Sequence, residues 1–221
     1  MRLSPLLAPA TATAVALCLS AAMFRVSGAS VDLFVTVTLL VAMTTPLVVA
    51  WNRSVFLAGF TSGAFAFAMV AGWFWIAHLG NITWPAACRA SAVGFLLGMA
   101  LSGTARLLSG GAGGRFWPGF IGLLGLAWVS WPVWLSDPLS GKTLVWSVAL
   151  QPLFAVNSAV PDLGNWVDQP MAYQLTSFGQ DVLYQMPKSV WPAVLFHGMI
   201  GLVTWTVAVW RERPRNAPPP A

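Results

Sequence analysis

Residues 190–210 read VWPAVLFHGMIGLVTWTVAVW and run straight into the charged cluster Arg211-Glu-Arg-Pro-Arg215. An uncharged stretch of this length makes a helix about 31 Å long at 1.5 Å per residue, enough for the ~30 Å hydrocarbon core of a bilayer. The arginines at its end form a stop-transfer pattern. Trp191 and Trp210 stand at the two depths where indole rings favour the membrane interface.

The same reading extends to five earlier stretches: Pro5 to Phe24, Leu33 to Ala50, Val55 to Ala77, the segment between Arg89 and Arg106, and Phe116 to Leu135. The fourth is short, so its two arginines are expected to snorkel toward opposite interfaces. Two readings of the first stretch stand. It has the basic residue and small residues of a signal peptide, but its apolar run is long and even, which favours a retained helix.

Composition agrees. Of 221 residues 57% are hydrophobic and 8% charged, against about 25% charged in an ordinary soluble domain. Seventeen charged side chains (11 basic, 6 acidic) do not cover a soluble fold of this size. The net charge of +5 does not point to nucleic acid, because the basic residues sit at the ends of apolar runs rather than in a patch. Cys18 and Cys88 form no CxxC motif, and neither a disulfide framework nor a zinc site is expected.

With six spans and a cytoplasmic amino terminus, seven basic residues fall inside (Arg2, Arg53, Arg106, Arg115, Arg211, Arg213, Arg215) and four outside (Arg25, Arg89, Lys142, Lys188). That is the direction of the positive-inside rule, and it places both termini in the cytoplasm of a plasma (inner) membrane protein. The fold class expected is therefore an all-α integral membrane protein. About six transmembrane helices form a bundle, and short interfacial helices form an extracytoplasmic cap. By residue, 1–135 is a five-helix transmembrane region, 136–189 the cap, 190–210 the last span and 211–221 a disordered tail.

Thr143 to Ser158 is apolar but interrupted by Gln151, Pro152 and Asn157, which predicts a re-entrant or interfacial helix. If it spans instead, the termini lie on opposite sides. Farther on, Met171, Leu175, Phe178, Val182 and Met186 share one helical face. Gly59–Gly63 and Gly94–Gly98 match GxxxG, and Gly119, Gly122 and Gly125 add a small-residue stripe. Both predict close helix packing inside one bundle.

The residues able to carry chemistry are few. His78 and His197 are the only histidines. A buried ionisable group in a membrane is a functional candidate by default, and two imidazoles on separate helices can ligate a haem iron. His197 with Asp181 or Asp168 would make an outer-leaflet acid/base site. Asp162 and the other cap carboxylates match no metal loop, and Gly110–Gly114 lacks the Lys of a P-loop. No cofactor or metal is expected. The function expected is a non-catalytic subunit or permease-like component of a membrane transport assembly. Its partners would be the lipid bilayer, other membrane subunits and an energy-coupling ATPase, with no nucleic acid. A membrane enzyme around His197 and a bis-His haem anchor are the alternatives.

Overall fold

Three helices carry a Trp-Pro pair in their first turn, at Trp84-Pro85, Trp117-Pro118 and Trp191-Pro192. Proline suits the first turn, where its missing N–H has no intrahelical partner to lose and its fixed φ is already helical. The computed structural model describes residues 31–50, 54–79, 82–110, 116–134, 141–160 and 186–212, with a few isolated positions besides. The helices in chain order are α1 Val31–Val49, α2 Val55–Leu79, α3 Trp84–Ser109, α4 Phe116–Trp134, α5 Gly141–Leu150, α6 Pro152–Ala159 and α7 Trp191–Glu212. The described residues are all-helical, without strands. Two of the described helices, α3 and α7, are long and apolar enough to cross a membrane. The expected stretch Pro5–Phe24 lies outside the described residues but for four isolated positions, and the face at 171–185 and the tail from 213 lie outside them entirely.

Helix α3 is the centre of the bundle, with α1, α2, α4, α6 and α7 packed around it. Its buried positions are mostly small, among them Ala87, Ala90, Gly94, Gly98, Ala100 and Gly103. Small side chains let backbones approach closely, and dispersion then accumulates over the whole seam. At the α3–α7 crossing, Gly201 lies against the Ala100 backbone. Trp205 lies over both Gly59 of α2 and Gly103 of α3, and its indole N–H donates to Met99 O at 3.1 Å. One tryptophan thus ties three helices. Against α1, Gly98 meets Val41 and Thr45, while Gly94 of the same GxxxG match has open space beside it.

Helix α1 contains Pro46, which has no N–H for the carbonyl of Ala42. Helix α4 approaches that carbonyl with Gly125, where a Cβ would stand 3.2 Å from Ala42 O, and Gly122 approaches Met43 O in the same way. Gly122 and Gly125 are therefore the seam to α1, while Gly119 of the same stripe has open space beside it.

The single re-entrant or interfacial helix expected over 143–158 is two helices, and the interfacial alternative does not suit the second of them. Two helices, α5 and α6, meet at a break on Gln151, whose backbone is extended (φ −76°, ψ 127°) as the residue before a proline prefers. The Gln151 side chain repairs the break. Its Oε1 accepts the Phe154 N–H at 2.8 Å, and its Nε2 donates to Val129 O of α4 at 2.6 Å. An interfacial helix keeps one face exposed. In α6, Pro152 to Asn157 and Ala159 are all buried, packed against Ala86, Ala87 and Ala90 near the start of α3. The chain at 151–160 is core. Helix α3 also runs beyond the expected Arg89–Arg106 segment at both ends, so Arg89 lies within its second turn.

Gly103 sets the closest of these seams. A methyl group there would collide with Thr204 Oγ1 and stand 2.9 Å from Trp205 Cδ1. Thr204 is held by bonds to Ile200 O and Gly201 O. Gly103→Ala should destabilise the protein by about 1–3 kcal/mol through overpacking. Gly94→Ala, with open space around it, should be neutral or stabilising by up to ~1 kcal/mol. Thermal unfolding of the two purified variants in one detergent checks the contrast.

Candidate functional site

His197 sits on the second turn of α7 with 3% of its surface exposed. The turn places Ala193 one helical repeat behind it, and His197 Nδ1 lies 2.7 Å from Ala193 O. Across the bundle, the Trp128 indole N–H of α4 points at His197 Nε2 at 3.1 Å. An indole N–H can only donate, so Nε2 must be the acceptor and Nδ1 carries the proton to Ala193 O. The network thus assigns the neutral Nδ1–H tautomer. Both ring nitrogens are committed, and the Phe196 ring lies edge-on at 5.1 Å between centroids. Binding a metal through Nε2, or using it as a base, would require breaking the bond to Trp128.

Helices α4 and α7 both pack on α3, and they meet one another through Trp128, which bonds His197 and lies 6.2 Å, ring centre to ring centre, from Phe196. Between them lies an apolar groove of about 280 Å³, floored by Leu97, Ala100, Leu101 and Thr104 of α3. The Trp128–His197 hydrogen bond belongs to its wall.

A second cluster lies at the other end of α7. Arg106 in the last turn of α3 is ion-paired with Glu212, and the second oxygen of that carboxylate accepts the Val55 N–H at 2.9 Å. Val55 opens α2, so Glu212 caps a helix N-terminus while pairing with a cation at the end of another helix. Both placements suit the helix dipoles. Arg106, Arg211 and Glu212 line a cavity of about 290 Å³ together with the apolar Val55, Leu107 and Ala208. One carboxylate therefore gathers the end of α3, the end of α7 and the beginning of α2.

Of the sequence-derived candidates, only His197 has its surroundings described. His78 lies in the last turn of α2, where the backbone alone is described, and Asp162, Asp168 and Asp181 lie outside the described residues. The proposed approach of Asp181 or Asp168 to His197 thus falls outside them too. Among the described residues no group of three His, Cys, Asp or Glu is placed to hold a metal ion. Cys88 is exposed on α3. The sequence reading missed Trp128 and the Arg106–Glu212 pair. A signal existed for the first, since an indole in mid-helix needs an acceptor for its N–H.

Comparison of the chain with protein-family models, curated proteins and solved structures finds no match.

Trp128→Phe and His197→Ala should each destabilise the bundle, and the double variant should cost less than their sum. The expected coupling is about 0.6–1.7 kcal/mol, the usual size of a side-chain hydrogen bond between membrane helices. A double-mutant cycle on unfolding in mixed micelles measures it, and additive losses would show that the bond is energetically idle.

Proposed function

We propose that this chain is a multi-pass integral membrane protein that serves as a non-catalytic, permease-like subunit of a membrane transport assembly. Support for the membrane reading is the outer surface of the bundle. Phe56, Phe60 and Phe67 on α2, Leu123 on α4, and Leu195 and Leu202 on α7 are all exposed, several by more than 60%. In water such a girdle is a liability; in lipid it is the expected exterior. Trp191 and Trp210 are both exposed and stand about 28 Å apart along α7.

The orientation inferred from charge has geometric support. The ends joined by Glu212 belong to one side: the start of α2, the end of α3 and the end of α7. These are the ends that the positive-inside count assigns to the cytoplasm. Helix α4 then returns to the outer side, where α7 begins, so α5 and α6 between them must dip in and come back. On this reading residues 141–160 are a re-entrant pair entering from the outer face. Non-helical backbone such as the Gln151 break is tolerated at membrane depth when it is buried in protein.

The observation that carries the non-catalytic reading is the double hydrogen bond of His197. It commits the most chemically capable described side chain to holding α4 against α7. The proposed role is active transport, which requires an energy source, and the sequence lacks a nucleotide-binding loop, so an ATPase partner is part of the proposal.

The test is purification of the tagged protein in mild detergent, with mass spectrometry of its companions and an absorption spectrum. A stoichiometric membrane subunit or ATPase is the expected result. A solitary protein with a haem band would replace this reading by the bis-His anchor. A solitary, colourless protein whose extract hydrolyses a lipid-linked substrate would replace it by the enzyme.

A further inference from the structure

The cavity at the carboxyl end of α7 carries more positive charge than the chain neutralises. Arg106 and Arg211 both line it, with Glu212 as the one acid. Both Glu212 oxygens are engaged, one by Arg106 and one by the Val55 N–H. Arg211 is exposed and has no ion-pair partner among the described residues. Nor does the sequence offer one on that side. The other five acidic side chains, Asp32, Asp137, Asp162, Asp168 and Asp181, all fall on the outer side in the charge-derived topology. An anion that complements Arg211 must therefore come from outside the chain.

Helix ends alter that balance without reversing it. The ends of α3 and α7 each bring about half a negative charge, and the start of α2 about half a positive one. With two arginines and one carboxylate, roughly half a positive charge remains. Position narrows the anion. Trp210, next to Arg211, is exposed, and indole rings of this kind favour the membrane interface. Under the membrane reading on which this inference rests, the cavity lies at the depth of lipid phosphates. Part of its wall is apolar, from Val55, Leu107 and Ala208, which suits an anionic group with hydrocarbon attached. A guanidinium offers planar, paired N–H donors that match phosphate oxygens.

We infer that the cavity between the ends of α3 and α7 and the start of α2 binds a phosphate group, with Arg211 as its cation. Glu212 holds Arg106 in the same wall and keeps the two arginines from being equivalent: one is paired within the protein, the other is left for the ligand. Two sources can carry the phosphate, an anionic lipid of the cytoplasmic leaflet or a free phosphate ion. The depth and the apolar wall favour the lipid. Basic pockets between membrane helices on the cytoplasmic side hold lipid headgroups by this same chemistry.

The experiment is native mass spectrometry of the full chain, released from detergent after mixing with equal amounts of phosphatidylglycerol and phosphatidylcholine. Inorganic phosphate is a separate arm. The wild type should retain phosphatidylglycerol several-fold more than phosphatidylcholine. Arg211→Gln should lower that retention several-fold, and Arg211→Lys should keep most of it. Arg215→Gln, which removes an equal charge farther along the chain, should leave it unchanged. Gly110→Leu narrows the cavity from the α3 side and should lower retention as Arg211→Gln does. A Cβ at Gly110 meets only Leu107 O at 3.8 Å, and φ there is −69°, so this variant folds. Binding of inorganic phosphate without phosphatidylglycerol supports the phosphate site and overturns its lipid source. Equal retention of the two lipids with no phosphate bound overturns the inference, as does retention that Arg211→Gln and Arg215→Gln lower alike. Protein that stays soluble and folded once detergent is withdrawn overturns the membrane reading instead, a separate and recognisable outcome.

Discussion

Close approach of backbones to α3 is the constraint on which the remaining packing depends. Five helices share that one helix as a neighbour, and they reach it because its buried positions are mostly alanine, glycine and serine. Large side chains there would hold the neighbours apart and leave voids that cost dispersion. The bulk needed to fill space comes instead from the outer helices: Trp205 reaches in from α7, and Phe154 is buried from α6. Where α4 and α7 flank α3 and meet through Trp128, His197 and Phe196, a groove remains beside the contact.

The polar groups of the bundle follow a second rule, which suits the proposed lipid setting. A donor or acceptor placed in hydrocarbon must find a partner inside the protein. Hydroxyls of Thr104, Ser109, Ser130 and Thr204 donate to carbonyls one turn back along their own helices. Gln151 uses both ends of its amide to mend the break between α5 and α6. Glu212 uses both oxygens, one on Arg106 and one on the Val55 N–H. His197 uses both nitrogens. Three buried groups depart from the rule, the Ser62 and Ser91 hydroxyls and the Trp131 indole N–H, which have no hydrogen-bond partner among the described residues.

Much of the helical layout was legible in the sequence. The starts or ends of α1, α2, α4 and α7 fall within a few residues of the apolar runs because charged, Gly and Trp-Pro punctuation surrounds them. Helix α3 was read too short. Arg89 and Arg106 look like boundaries from charge alone, yet Pro85 starts the helix before the first and Glu212 neutralises the second. The 143–158 region was hardest, since a short apolar run with a proline suits a surface helix as well as a buried one, and burial is a tertiary fact. The site was barely legible. Trp128 and His197 are far apart in sequence, as are Arg106 and Glu212, and nothing in a helix that is apolar all round says which side meets which neighbour.

The central claim, that these helices cross a bilayer with the Glu212 cluster on the cytoplasmic side, is tested most directly by sidedness of labelling. In a chain with Cys18 and Cys88 replaced by serine, single cysteines are introduced at Ser54, Ser109 and Ser189. Intact cells are treated with a membrane-impermeant thiol reagent, before and after permeabilisation. Ser189→Cys should be labelled in intact cells, and Ser54→Cys and Ser109→Cys only once the membrane is opened. Labelling of all three only after permeabilisation, or of Ser54 and Ser189 from the same side, would contradict that claim.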